Sequence, residues 1–512
     1  MLAMSASDIT AATTPPTYTL AQRIGLVLGL VLGGGIVVLS PWLPKPDGVT
    51  DAAVPLIGLT VLVSIWWVTE ALPLGATALI PAGAFPLLGI MPAKAASEAY
   101  LSPIVLLLLG GFMLALAVER SGAHRRLALK VLLAVGTSPR RLVLGFGLSA
   151  GLLSMWISNT ATSLMMMPIA LAIADRARRN ATEAEGHAFT TAILLGTGYG
   201  ASVGGMGTPV GTPPNLFAMK ALEDTFPDLE GWTFVGWAAQ TAPLVLVLIP
   251  ILWYSLTRFY PKVPAELHMG ASHILREELT ALGRWRQNEI RSLAIFGVAA
   301  VLWVTRPDIR LGTDFVIPGW ASVLGIKGAH DGSVAMLAVV AACAIPSGMR
   351  DAERVFPWKD VGQVPWGLTF LFGGGIAMSR GFVATGLSDW LGDALAAIAS
   401  DSLTAFVVLA TGAATFGTEL MSNTALANML MPILAATAKK AAIDPGVVLW
   451  PTALACSAAF MMPAATGPNA IVFGTGRVRI IEMVRAGFIA NWLAWGTIVL
   501  ATILGYPVLR GG

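Results

Sequence analysis

Runs of apolar residues about as long as a bilayer is thick recur along this chain, among them Ile24 to Leu39, Ala52 to Val68, Phe234 to Leu256 and Phe488 to Leu504. Hydrocarbon offers no water to backbone N–H and C=O groups, so a segment that crosses it must satisfy them internally. Runs of this length do so as helices, since a crossing needs roughly 20 residues at helical rise. With 55% hydrophobic and only 12% charged residues in 512, the chain cannot present an ordinary charged surface to water all round. The expectation is an all-α polytopic membrane protein with about 11 transmembrane helices. Residues 1 to 22 are polar and rich in Thr, Ala and Pro, and no convincing cleavage site follows the first apolar run. That run therefore reads as the first transmembrane helix.

Composition also removes several function classes. A net charge of +3, with no basic and aromatic tract, does not suit nucleic acid. Cys343 and Cys456 form no CxxC pair and the five histidines are scattered, so no zinc, redox or enzymatic cofactor site is expected. Gly147-Leu148-Ser149-Ala150-Gly151 formally matches a hydrolase nucleophile elbow, but it lacks the strand-turn-helix setting that chemistry requires. Small residues packing a membrane helix account for it better.

Polar islands interrupt the apolar runs, and they repeat. Ser158-Asn159-Thr160 recurs as Ser422-Asn423-Thr424, an offset of 422 − 158 = 264. At the same offset Pro168 maps to Pro432, Gly111 to Gly375, and Ser121-Gly122 to Thr385-Gly386. A weaker trace pairs Trp67-Val68-Thr69-Glu70 with Trp303-Val304-Thr305-Arg306 at an offset of 236. Polar side chains at membrane depth are costly unless they meet backbone, water or ligand, so matched clusters imply a site shared by two halves. Internal repeats of this kind are expected of secondary transporters.

Cationic residues mark the cytoplasmic side. Arg120, Arg125, Arg126, Lys130, Arg140, Arg141, Arg176, Arg178 and Arg179 place both ends of Leu142 to Ala174 there. Its two arms, of about 16 residues each, are too short to cross, so the segment reads as a re-entrant helical hairpin with Ser-Asn-Thr at its tip. The acidic loop Glu223, Asp224, Asp228, Glu230 fits outside and Arg276 to Arg291 fits the cytoplasm. Counting onward, Arg306 to Asp314 falls outside, Met349 to Asp360 inside, and the second hairpin, Leu403 to Ala438, opens outside. The repeats are thus inverted, although Lys439 and Lys440 at the outer base break the positive-inside trend. Arg477, Arg479 and Arg485 return the chain to the cytoplasm, leaving the C terminus outside. The expected organisation is a tail and first helix (1–51), a first inverted repeat (52–258), a cytoplasmic linker (259–289), and a second repeat with the last helix (290–512). Among the remaining intramembrane charges, Glu70, Glu119 and Arg380 sit near helix ends and snorkel, Arg380 being the candidate scaffold or interface ion-pair member. Glu419 is left open between a structural role and a bias on cation or proton use.

After each hairpin comes a helix that glycine and proline must break: Gly204 to Asn215 in the first half and Pro463 to Asn469 in the second. Unwound backbone lining a cavity frees carbonyl oxygens for a hard cation such as sodium, while half-helix N termini turn N–H groups toward an anion. Ser and Thr hydroxyls and the Asn amide oxygen also suit sodium, and Asn NH2 and Thr OH can donate to a carboxylate. No Arg lies in either motif. A dianion held by neutral groups needs compensating charge, which two bound sodium ions supply, and that is a physical basis for coupling.

With these features the chain resembles the divalent anion:sodium symporter family, carriers of Krebs-cycle dicarboxylates, citrate or sulfate. The likeness spans nearly the whole sequence. It rests on the paired Ser-Asn-Thr tips and on Cys456 to Val472, which is similar to the family signature and departs from it at Ala464. The resemblance implies one sodium site from Ser154, Ser158, Asn159 and the Gly211 carbonyl. It implies a second from Thr418, Asn423 and the carbonyls of Met421 and Ala465, with Met421 replacing a small residue. Substrate carboxylates would meet Asn159, Thr160, Asn423 and Thr424, with Thr466 and Pro213 close by. Gly467 departs from the Pro-Pro-Asn pattern of Pro213-Pro214-Asn215. A homodimer and an elevator motion are implied by the resemblance alone.

The resulting expectation is a non-enzymatic, sodium-coupled importer of C4 dicarboxylates (succinate, malate, fumarate) in a bacterial-type inner membrane. Its alternatives are citrate or sulfate symport, a sodium-independent dicarboxylate exchanger, a membrane-embedded serine hydrolase using Ser149, and a non-transporting membrane receptor.

Overall fold

The computed structural model describes residues 18–229, 232–267, 270–311, 315–326, 328–348 and 353–504. Glu230, Asp314, Met349, the tail before Tyr18 and the chain end beyond Leu504, with the expected outward C terminus, lie outside the described residues.

Helix α1, Leu20–Gly29, is opened by a capping box between Thr19 and Gln22 and runs on to Trp42. It lays its small residues on α2, Ala53–Thr69: a Cβ at Gly33 would strike the backbone of Gly58. After the apolar helix α3, Leu74–Leu87, come α4, Pro103–Ser121, and α5, Ala123–Val135. Gly122 joins the last two at φ 80°, a left-handed turn that suits glycine. The first hairpin is α6, Pro139–Ser154, and α7, Asn159–Arg179. Sixteen residues of α6 span roughly 24 Å at 1.5 Å per residue, short of a bilayer core of about 30 Å. The return arm α7 is longer than expected, at 21 residues, because its last turn carries Arg176, Arg178 and Arg179 out of the apolar zone.

Then α8, Glu183–Gly205, stops, and α9, Pro213–Thr225, restarts the broken helix. The half closes with α10, Phe234–Tyr254, and the linker carries α11, Ala271–Ala281. The second half repeats the order: α12, Gln287–Val304; α13, Asp331–Ala344; α14, Trp366–Thr385; α15, Leu387–Asp401. Gly386, at φ 81°, turns α14 into α15 as Gly122 does 264 residues earlier. The second hairpin is α16, Leu403–Gly417, and α17, Asn423–Lys440; the second broken helix is α18, Pro445–Cys456, and α19, Gly467–Gly474; α20, Ile480–Ile503, follows. One addition escapes the all-helical reading, an antiparallel pair β1, Ile309–Leu311, and β2, Phe315–Ile317, between α12 and α13.

The contacts show that the hairpins open to opposite faces. The N termini of α8 and α20 share one face, because His187 bonds Glu482 at 2.7 Å and Arg477 pairs with Asp175 at 3.0 Å. Along α6, contacts with α8 climb from Val143 against Gly196 to Gly151 against Gly204, so the base of the first hairpin lies at that face. Along α16 the order reverses. Phe416, near the tip, packs tilted against Trp492, and Thr411, nearer the base, accepts from Trp495 at 3.0 Å, farther from the α20 start. At the base of the second hairpin the Lys440 ammonium pairs with Asp393 at 3.3 Å and Asp389 at 3.8 Å on α15, which offsets the charge that breaks the positive-inside trend.

Small residues set the tight contacts, as a membrane interior without a hydrophobic drive requires. A Cβ on Gly200 or Gly204 would collide with the backbone of Gly147 or Gly151 on α6. Ser149, between them, is wholly buried and donates to the Ala128 carbonyl at 3.3 Å, with no histidine or carboxylate partner among the described residues. The elbow motif is therefore a helix-packing motif. The linker is clamped to α5 by buried Arg126, which pairs with buried Glu289 at 3.1 Å and caps the carbonyls of Leu282, Gly283 and Arg284. Glu70 sits at the C-cap of α2. Arg380, on α14, makes no salt bridge within the chain among the described residues.

Candidate functional site

Each break begins with a missing donor. A helix would pair the Gly205 carbonyl with the N–H of residue 209, but Pro209 has none, and Pro463 leaves Ala459 in the same position. Asparagine supplies the substitute. Asn215 Nδ2, fully buried, faces the carbonyls of Gly205 at 3.0 Å, Met206 at 3.2 Å and Thr208 at 2.7 Å. Asn469 Nδ2 donates to Ala459 at 3.1 Å and Met462 at 3.0 Å. The two amides sit six residues past their prolines, 215 − 209 and 469 − 463. Trp237 on α10 adds a bond to the Met206 carbonyl at 3.0 Å.

The first hairpin tip is drawn onto the first break. Ser154 Oγ, fully buried at the end of α6, donates to Asn159 Oδ1 at 2.5 Å. A Cβ at Gly205 would strike Asn159 Oδ1, and one at Gly211 would strike the Gly205 backbone, so Ser154, Asn159, Gly205 and Gly211 form one oxygen-rich cluster. Thr208 Oγ1 ties the loop to the Met155 carbonyl. The second tip has the same plan: Thr418 Oγ1 lies 2.6 Å from Asn423 Oδ1 and 2.9 Å from the Cys456 carbonyl. Met421 packs into the apolar core and Ala465 is held by its N–H on the Met462 carbonyl at 3.2 Å. Both clusters offer uncharged oxygens only, a donor set that fits an alkali cation.

Half-helix N termini surround these clusters. Ser158 and Ser422 precede α7 and α17, and Thr212 precedes α9, without capping them by side chain; only Thr466 caps its helix, accepting from Asn469 N at 3.3 Å. First-turn N–H groups and positive dipole ends are thus left for an anion at α7 and α17; α9 opens on Pro213 and Pro214, which have no N–H, and the Asn215 N–H turns back to the Thr212 carbonyl at 3.3 Å, so α9 offers chiefly its dipole. The halves interlock at the tip, where a Cβ on Gly467 would strike Thr160 Oγ1. Thr160 therefore fills the space a proline ring would need, which explains the departure at Gly467. In the other direction α9, whose first residue is Pro213, packs on α17. Thr160 is exposed whereas Thr424 is buried, so the equivalent threonines are presented differently.

Sequence reading overlooked Asn215, Asn469 and the Cys456 carbonyl. The first two carry a signal, a polar amide at a fixed step past a helix-breaking proline; the carbonyl carries none. Glu419, whose role the sequence leaves open, accepts with its carboxylate the N–H groups of Phe460 at 2.7 Å, Met461 at 2.9 Å and Met462 at 2.8 Å.

Comparison with known proteins gives a consistent picture. The model of the sodium:sulfate symporter transmembrane region matches residues 22–509. The chain is 35% identical over 496 residues to the sodium-dependent dicarboxylate transporter SdcS of Staphylococcus saprophyticus, covering 96% of this chain and 93% of that protein. It is 32% identical over 494 residues to SdcS of Staphylococcus aureus strain USA300, covering 95% and 92%. Among solved structures, the YdaH transporter of Alcanivorax borkumensis superposes with a TM-score of 0.57 at 14% identity, covering 95% of this chain and 98% of that one. MtrF of Neisseria gonorrhoeae gives 0.56 at 13%, covering 94% of each. These two likenesses concern the fold alone.

Proposed function

The chain belongs to the sodium:sulfate symporter family, and from that premise we propose that it imports C4 dicarboxylates such as succinate, malate and fumarate by coupling them to sodium. The observation that carries this reading is the duplicated cluster, Ser154 with Asn159 and Thr418 with Asn423, each a hydroxyl and an amide oxygen gathered beside a broken helix. Relatives named sodium-dependent dicarboxylate transporters over nearly the same length support the choice of ion and substrate class.

In this reading Ser154, Ser158, Asn159 and the Gly211 carbonyl take one sodium ion. Thr418, Asn423 and the carbonyls of Met421 and Ala465 take the other. The filled sites turn each Asn amide so that its NH2 points toward the substrate, while the uncapped N termini of α7 and α17 add N–H donors and positive potential. Thr160, Thr424, Thr466 and Pro213 complete the substrate contacts. Because no side chain in the site is cationic, the dianion binds well only when sodium is present, and the coupling follows from that dependence. The hairpins and broken helices move as one transport body (within 52–258 and 290–512) past a fixed scaffold, in an elevator cycle within a homodimer of the bacterial inner membrane; residues 259–289 form the cytoplasmic linker.

Uptake of labelled succinate by proteoliposomes, with sodium and with choline outside, tests the reading, with citrate and sulfate as competitors. Uptake indifferent to sodium removes the coupling and favours a dicarboxylate exchanger. Competition by citrate or sulfate but not by malate moves the substrate class.

A further inference from the structure

The two breaks are held alike by their asparagines but differ at one position. In the first half the N–H groups of Met206 and Gly207 turn back on their own chain, to Val203 at 3.1 Å and Gly204 at 2.9 Å. In the second half three successive N–H groups, at Phe460, Met461 and Met462, converge on Glu419, and Asn491 Nδ2 of α20 adds a fourth donor at 2.8 Å. Consecutive backbone N–H groups of this kind make a nest for an anion, and the protein fills this one with its own carboxylate. Glu419 is buried at 7% exposure, and among the described residues no Lys or Arg pairs with it. The position 264 residues earlier is Met155, which is neutral.

The contacts lead from this carboxylate to the second cluster. Met462 is gripped twice, its N–H by Glu419 and its carbonyl by Asn469, and that carbonyl also anchors the N–H of Ala465. Glu419 also follows Thr418 directly, so its charge lies within about 10 Å of that hydroxyl, given a Cα spacing of 3.8 Å and the reach of a Glu side chain. In a poorly polarisable interior, a charge at that range is felt strongly.

We propose that Glu419 is a positioning residue for the second cation site: it fixes the second break so that the Ala465 carbonyl meets Thr418 and Asn423, and its negative charge makes this site the tighter of the two. The proposal rests on the symport reading above. The two sites, built from matching neutral ligands, then fill in order, second before first.

The test is sodium dependence of succinate uptake in proteoliposomes for wild type and Glu419→Gln. An amide has one acceptor oxygen and an NH2, so it must turn a donor toward at least one of the N–H groups it replaces. The expected result is a sodium half-saturation raised tenfold or more and a Hill coefficient that changes, with the succinate KM at saturating sodium within threefold of wild type. Sodium half-saturation within twofold of wild type overturns the proposal. A merely structural role lowers the yield of folded protein without moving that number. If Glu419→Gln does not fold, Asn491→Ala, which removes one of the four donors, is expected to raise half-saturation threefold or more, and an unchanged value overturns the proposal equally. Wild-type uptake that ignores sodium removes the symport reading itself; sodium-dependent wild type with an unchanged variant removes only the role of Glu419.

Discussion

Replacing Asn215 with Ala removes the donor that stands in for the N–H missing at Pro209. Its amide nitrogen faces three carbonyls but has only two hydrogens, so at most two good bonds exist at once. After the substitution the Met206 carbonyl keeps Trp237 and the Thr208 carbonyl keeps the Gly211 N–H at 3.2 Å, whereas that of Gly205 loses the donor standing in for Pro209. The cost is then about one bare buried carbonyl plus a lost bond, roughly 2 to 3 kcal/mol. At 1.4 kcal/mol per decade this lowers the population of the correctly shaped break by about 30- to 150-fold against a competing loose form. If the loose form lies close in energy to the native one, much of that factor is seen as a higher sodium half-saturation for uptake. Asn215→Asp, which keeps the shape but turns an acceptor toward the same carbonyls, is expected to do more harm than Ala. Folded protein, checked by size-exclusion profile, whose sodium half-saturation stays within twofold of wild type for both variants would refute the reasoning that this amide holds the break.

Four further outcomes rest on close packing and on one buried ion pair. Gly204→Ala puts a methyl into the Gly151 backbone on α6, and is expected to lower the melting temperature strongly or prevent recovery of folded protein, while Ser149→Ala leaves succinate uptake intact. Gly467→Ala is expected to impair uptake through its clash with Thr160 Oγ1, and Thr160→Ala in the same chain to relieve the clash, read as a partial recovery of substrate-induced thermal stabilisation over Gly467→Ala alone. Glu289→Ala leaves Arg126 buried without its counter-charge, for a loss of about 3 kcal/mol, measured by denaturation in mild detergent; a change under 0.5 kcal/mol refutes a clamping role.

The duplicated fold was legible because its signals are local. Clustered glycine and proline break the helices at Gly204 to Asn215 and Pro463 to Asn469, whereas lone prolines such as Pro168 and Pro432 stay inside theirs; a left-handed turn takes glycine at Gly122 and again at Gly386, and an arm too short to cross a bilayer announces a hairpin. The tips were legible because Ser-Asn-Thr is conspicuous in hydrocarbon. What lay beyond reach was set by tertiary contact. Lys440 reads as a topological error until Asp389 and Asp393 are brought beside it. Glu419 reads as an unexplained charge until three N–H groups from the unwound second break converge on it. Gly467 reads as a lost proline until Thr160, from the other half of the chain, occupies the space. The small strand pair between α12 and α13 carries no pattern strong enough to compete with its apolar surroundings.

The contact between Thr160 and Gly467 has a consequence for biosynthesis. More than three hundred residues separate the two, so when the first hairpin leaves the ribosome, the surface that will cover its polar tip has not been translated. Until α19 arrives, that tip must wait against lipid, insertion machinery or a chaperone. Chains truncated between the halves are therefore expected to leave the first tip without its α19 contact.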